Sequence, residues 1–101
     1  MLNLLEPNLS DPTEEQFETL LQTKNIHIEK ITSNGQTSDE WYAQDRDEWV
    51  VVIEGDGKLL FEEGNKTIHL NKGEHIYIPK MKKHKVIYTH TPTIWLVIHF
   101  T

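Results

Sequence analysis

Glu48 and His84 are the two residues whose type and position most directly point to chemistry. Glu48 heads the run Glu48-Trp49-Val50-Val51-Val52-Ile53, in which both faces of an extended strand are apolar, and it alternates in phase with Val50 and Val52. If that face is interior, a carboxylate points into the fold. Burying it unpaired costs several kcal/mol, so it needs a cation, a proton or a hydrogen-bonding partner. His84 offers one. It runs in phase with Val86 and Tyr88, whereas Lys83, Lys85 and Ile87 fall on the opposite face; lysines favour water, so His84 should turn inward.

Other residues compete for a place beside this pair. His99 alternates with Trp95 and Val97 in Ile94-Trp95-Leu96-Val97-Ile98-His99-Phe100. If that face is interior, His99 adds a nitrogen to the pocket; otherwise it is a satisfied or solvent-edge histidine. Trp41, Trp49 and Trp95 could wall a ligand cavity, or serve core packing and a dimer surface. His75 shares a face with Tyr77 that reads as exterior, and spacing identifies no partner for His27, His69 or His90. Lys80, Lys82, Lys83 and Lys85 read as a solvated loop, or as a cluster facing Asp39, Glu40, Asp45 and Asp47 across the pocket mouth. Asp45 and Asp47 lack the glycine and distal glutamate of a calcium loop, and neither a glycine-rich phosphate cradle nor a serine triad is recognisable.

The elements that must position these groups read as mainly β. A chain of 101 residues has the size of one domain, and 37% apolar content supports one modest core. The start should be helical: Asp11 caps, Pro12 takes the first position, Glu14 follows three after the cap, and Phe17, Leu20 and Leu21 form a stripe. Residues 1–24 are therefore expected as a helical segment packed on a barrel formed by 25–101. From Asn25 the period changes to two, with turns at Asn34-Gly35, Asp56-Gly57, Gly64-Asn65, Asn71-Lys72-Gly73 and Thr91-Pro92-Thr93. The spacing predicts strands near 25–33, 40–44, 48–54, 58–63, 66–70, 74–79, 84–90 and 94–100. Hairpin-linked strands pair antiparallel and close most economically into a barrel or jelly roll.

Composition narrows the function classes. Without cysteine there is no disulfide, thiolate metal site or cysteine nucleophile, so any metal needs nitrogen and oxygen donors. A formal charge of −6 repels phosphate backbones and anionic membranes, which sets aside nucleic acid and membrane as partners. No apolar run approaches a membrane span, and a cytoplasmic location is the expectation.

With these residues in place, the sequence resembles the cupin superfamily. Its first motif runs Gly, five residues, His-x-His, three or four residues, Glu, six residues, Gly; here Gly35 can open it, Glu48 is its glutamate and Gly55 closes it. Its second motif is matched by Gly73, Pro79 and His84, with Met81 where the motif has glycine and Tyr88 where it has asparagine. The resemblance implies a cupin antiparallel β-barrel, a homodimer, and a divalent metal such as zinc, iron, nickel or manganese held by three histidines and one glutamate. The two first-motif histidines, however, align with Tyr42 and Gln44 in one register and with Trp41 and Ala43 in the other. The implied metal set shrinks to Glu48 and His84, with Gln44 and Tyr42 as oxygen donors.

Two functions of different class follow. One is a non-catalytic pocket for a small-molecule ligand, anchored by Tyr42, Gln44, Glu48 and His84 and lined by Trp41, Val50, Val52, Tyr88, Trp95 and His99. The other is a metal-dependent isomerase, dioxygenase or lyase acting on a small oxygenated metabolite, with Glu48 and Tyr42 as catalytic candidates. In a metal-free version the four polar residues form a hydrogen-bond network and Glu48 and His84 neutralise each other.

Overall fold

The computed structural model describes residues 3–101, so Met1 and Leu2 of the expected N-terminal segment lie outside the described residues. Eight strands follow in order: β1 (Gln16–Gln22), β2 (Ile26–Ser33), β3 (Asp47–Glu54), β4 (Asp56–Phe61), β5 (Lys66–Asn71), β6 (His75–Ile78), β7 (His84–Thr89) and β8 (Thr93–Phe100). They form one five-stranded sheet in the order β1-β2-β8-β3-β6 and one three-stranded sheet in the order β5-β4-β7, with every pairing antiparallel. The two sheets face each other over a core of Val50, Val52, Leu59, Phe61, Leu70, Ile78, Trp95 and Val97. This is the expected antiparallel barrel, with seven of the eight strands near their expected places.

The expected N-terminal helix is absent from the described residues. Its cap chemistry survives as a single turn: Asp11 Oδ1 accepts from the backbone N–H and hydroxyl of Thr13, and the Glu14 N–H reaches the Asp11 carbonyl at 3.1 Å. Beyond Glu15 the chain extends, because pairing with β2 supplies a ladder of backbone partners from Gln16↔Thr32 to Gln22↔His27, broken only by a register shift at Leu20. Tertiary pairing outweighs the local helical signal. Leu21, expected on a buried helical stripe, is 51% exposed, and Phe17 is 61% exposed.

The expected strand at 40–44 is also reduced, to one bridge in which Tyr42 and His84 exchange backbone hydrogen bonds at 2.8 and 3.0 Å. That bridge still anchors the loop over the barrel mouth. Residues before β1 cover the outer face of β2, where the Lys30 ammonium donates to the carbonyls of Asn3 and Glu6, and the Asn8 N–H donates to Thr32 Oγ1. No helix among the described residues is long and apolar enough to cross a membrane.

Candidate functional site

Two strands, β3 and β8, carry inward side chains that run from apolar at one end of the barrel to polar at the other, and a third, β7, brings a histidine to the same polar end. On β3 the series is Val52, Val50, Glu48; on β8 it is Trp95, Val97, His99. On β7, Thr89 lies at the closed end, with Val86 and then His84 toward the mouth. Antiparallel register makes Glu48 and His99 direct cross-strand neighbours, and the Tyr42 bridge holds the start of β7 over them. Around the polar ends lies a cavity of about 170 Å³, lined by Glu15, Phe17, Glu29, Ile31, Ser38, Tyr42, Gln44, Glu48, Val50, Leu59, Ile78, His84, Val86, Trp95, Val97 and His99. That is below the usual range for drug-sized ligands and corresponds to roughly six waters.

The polar groups form two carboxylate–imidazole pairs. His84 Nε2 lies 3.3 Å from Glu48 Oε1, and its Nδ1 lies 2.9 Å from the Lys82 carbonyl. A carbonyl only accepts, so Nδ1 carries a proton; Nε2 then needs a second one to bond Glu48. Burial pushes the His84 imidazolium down, but the Glu48 hydrogen bond, the Lys82 carbonyl and the Glu48 charge outweigh it, and the ring is held above its ordinary value. In the second pair, His99 Nε2 lies 3.3 Å from Glu29 Oε1. Its Nδ1 is buried without a hydrogen-bond partner, 3.9 Å from Glu48 Oε2. Glu48, His84 and His99 are only 6%, 8% and 5% exposed. Beside them Glu15 accepts from the Ser33 hydroxyl; burial pushes its carboxyl up, the Ser33 bond opposes this, and the Glu29 charge adds to the rise.

Of the residues expected to frame the pocket, the structure brings together Tyr42, Gln44, Glu48, His84, Val50, Trp95 and His99. Three do not line it. Trp41 turns outward under the Lys85 ammonium, 4.6 Å from the ring centroid. Val52 is wholly buried, deeper than the cavity, in the closed end. Tyr88 is displaced by a bulge: Lys58 pairs with Tyr88 and Leu59 with Val86, so one extra residue in β7 reverses the alternation and Tyr88 sits 39% exposed beneath Lys58. Sequence reasoning missed Glu15 and Glu29. The usable signal is in β2, where Glu29 and Ile31 alternate on the face that lines the cavity, while Ile26 and Ile28 lie on the face that looks away from it.

A barrel of two antiparallel sheets with a glutamate and a histidine at its polar mouth defines a cupin. A family model described as the cupin domain matches residues 30–99, and the chain belongs to that family. It is similar to a Ralstonia eutropha JMP134 protein described provisionally as a mannose-6-phosphate isomerase, with 33% identity over 99% of this chain and 96% of that one, at a TM-score of 0.90. An RmlC-like cupin protein from Desulfovibrio desulfuricans shares 22% identity over 98% of this chain and 94% of that one, at a TM-score of 0.78. A Streptococcus pyogenes protein of unknown function shares 18% over 100% and 86%, at 0.80. The latter two show the fold alone. No curated protein matches the chain.

The family implies a divalent metal. His84 and His99 address opposite oxygens of Glu48, and no three His, Asp or Glu side chains among the described residues converge on one point. Tyr42 and Gln44, which stand where the family has imidazoles in one of the two registers, offer a phenol and an amide oxygen, weak donors to zinc, iron or nickel. The residues do not fit a preformed metal site.

Proposed function

We propose that the protein binds a small metabolite in the barrel mouth, with Glu48, His84, His99 and Gln44 as polar anchors and Trp95, Ile31 and Val97 as apolar walls. The observation that carries this reading is the unpartnered Nδ1 of buried His99, beside a cavity and 3.9 Å from a carboxylate oxygen. Buried polar atoms are normally satisfied, so this nitrogen lacks the partner that a ligand group would supply. A fragment titration followed by NMR tests it: saturable ligands should shift the Trp95 indole N–H and the His99 ring, and Val97→Phe, which fills the cavity, should abolish them. Binding undiminished in Val97→Phe would refute the reading.

A second reading, an isomerase, is supported by the 33% identical relative. Two carboxylate–imidazole pairs could move a proton between neighbouring carbons. Phosphate recognition, however, relies on Arg, Lys or clustered N–H donors, and the lining contains neither Lys nor Arg. Mannose 6-phosphate should therefore not turn over, with or without added divalent metal. Turnover restored by metal would favour the enzyme over the binder. The homodimer is likewise a proposal; it rests on edge strand β1, which exposes Phe17 and Leu21, and light scattering on the eluting species tests it.

A further inference from the structure

The charge of the cavity lining narrows the ligand class further. Glu15, Glu29 and Glu48 all face the cavity, and no Lys or Arg does. Glu48 is matched by His84, which its hydrogen bonds hold toward the charged form. Glu29 meets His99, whose Nε2–H is directed at its Oε1. Glu15 meets only the Ser33 hydroxyl. A cavity with surplus carboxylate attracts a cation and repels an anion.

In the neutral ring, with Nε2–H given to Glu29, the remaining nitrogen of His99 carries a lone pair, and it is this buried Nδ1 that lacks a partner. Its neighbour, Glu48 Oε2, is also an acceptor, 3.9 Å away. Two acceptors at that separation are bridged by one atom lying about 2.9 Å from each, provided it carries two donor hydrogens. An ammonium nitrogen supplies three donors and no acceptor. A hydroxyl supplies one donor and leaves the other acceptor unmet, and a carboxylate or phosphate oxygen supplies none.

We propose that the pocket takes a small primary organic ammonium, its nitrogen seated between His99 Nδ1 and Glu48 Oε2 and its carbon body against Trp95, Ile31 and Val97. This rests on the reading of the barrel mouth as a ligand pocket and adds the ligand's charge. It also separates this chain from a sugar-phosphate site, since the group that must be recognised carries the opposite sign.

The test uses the full chain and three probes of matched shape: n-butylammonium, 1-butanol and butyrate. Each is titrated while the Trp95 indole N–H and the His99 ring are followed by NMR. Butylammonium should bind about tenfold more tightly than 1-butanol, the ratio expected when a neutral hydrogen bond becomes charge-assisted, and butyrate should leave the signals unmoved. Glu29→Gln keeps shape and hydrogen bonding but removes a charge. It should weaken the ammonium and spare the alcohol, with spectral dispersion reporting that the fold is intact. Equal affinity for alcohol and ammonium, or ammonium binding indifferent to Glu29→Gln, overturns the ammonium assignment and leaves the pocket standing. Signals that none of the three probes moves remove both.

Discussion

The closed end of the barrel and its mouth are built from the same strands but solve opposite problems. At the closed end Val52 and Leu70 are buried, and Gly57 lies so close to Trp95 that an added Cβ would come within 2.5 Å of the indole. Two or four residues along β3 and β8, the inward positions become Glu48 and His99, and packing gives way to paired charge around a cavity. One end has no space to lose between Gly57 and Trp95. The other keeps a cavity and an unsatisfied nitrogen, features that cost stability unless a partner completes them. Stability should therefore concentrate at the closed end and recognition at the mouth.

The sharpest way to break that division is to truncate each end. Leu70→Ala, at the closed end, should cost about 3 kcal/mol by loss of buried methyl groups and the cavity left behind. Glu29→Gln, at the mouth, should cost less than about 1 kcal/mol, since shape and hydrogen-bonding capacity are kept. Urea denaturation measures both. Comparable losses would mean that the polar mouth is part of the stabilising core and not a site. Gly57→Ala probes the tight contact and should cost about 2 kcal/mol by forcing Trp95 out of place. A neutral result would show that the closed end has slack.

Much of this contrast was legible in the residues. Alternation placed seven strands, and the lysines flanking His84 identified its inward face, because a strand has only two faces and lysine is costly to bury. What could not be read were features set by partners distant in the chain. The N-terminal strand carries genuine helix-start chemistry, and only the unpaired edge of β2 makes extension preferable. The β7 bulge reverses Tyr88 without any glycine to mark it. Glu29 acquires its partner only through the pairing of β2 with β8, which brings His99 to it.

Met81 is a case where motif and geometry agree although the residue departs. It occupies the motif's glycine position and adopts φ +66°, in the left-handed region where a Cβ is strained. The turn is thus demanded by the fold even without its usual residue: the Met81 N–H donates to the Gln44 carbonyl at 2.6 Å, tying the turn to the mouth loop. Met81→Gly should stabilise the protein by about 1 kcal/mol and raise the denaturation midpoint. Destabilisation would show that the exposed Met81 side chain packs in a way that outweighs its backbone strain.

The smallest effect concerns pH, and it tells the two carboxylate–imidazole pairs apart. Burial opposes the charged form of His84, but its bonds to Glu48 and the Lys82 carbonyl prevail, so its folded value lies above 6.5. A group raised on folding contributes stability that is complete below its unfolded value and disappears as pH climbs through the folded one. His84 should therefore produce a decline that begins above pH 6.5. Glu15 is raised as well, by burial first, and its decline begins lower, above pH 4.5. Asp47 and Glu74 are held low by hydrogen bonds, from Tyr77 and from the Asn71 backbone first, so their contributions fade only as pH falls below the ordinary carboxylate range. Denaturation midpoints across pH 4.5 to 9 should thus fall in two steps. Glu48→Gln removes the charge that holds His84 up while leaving the ring buried, so it should erase the upper step and spare the lower. An upper step that survives Glu48→Gln would not belong to the Glu48–His84 pair, and the pairing within the mouth would have to be reassigned.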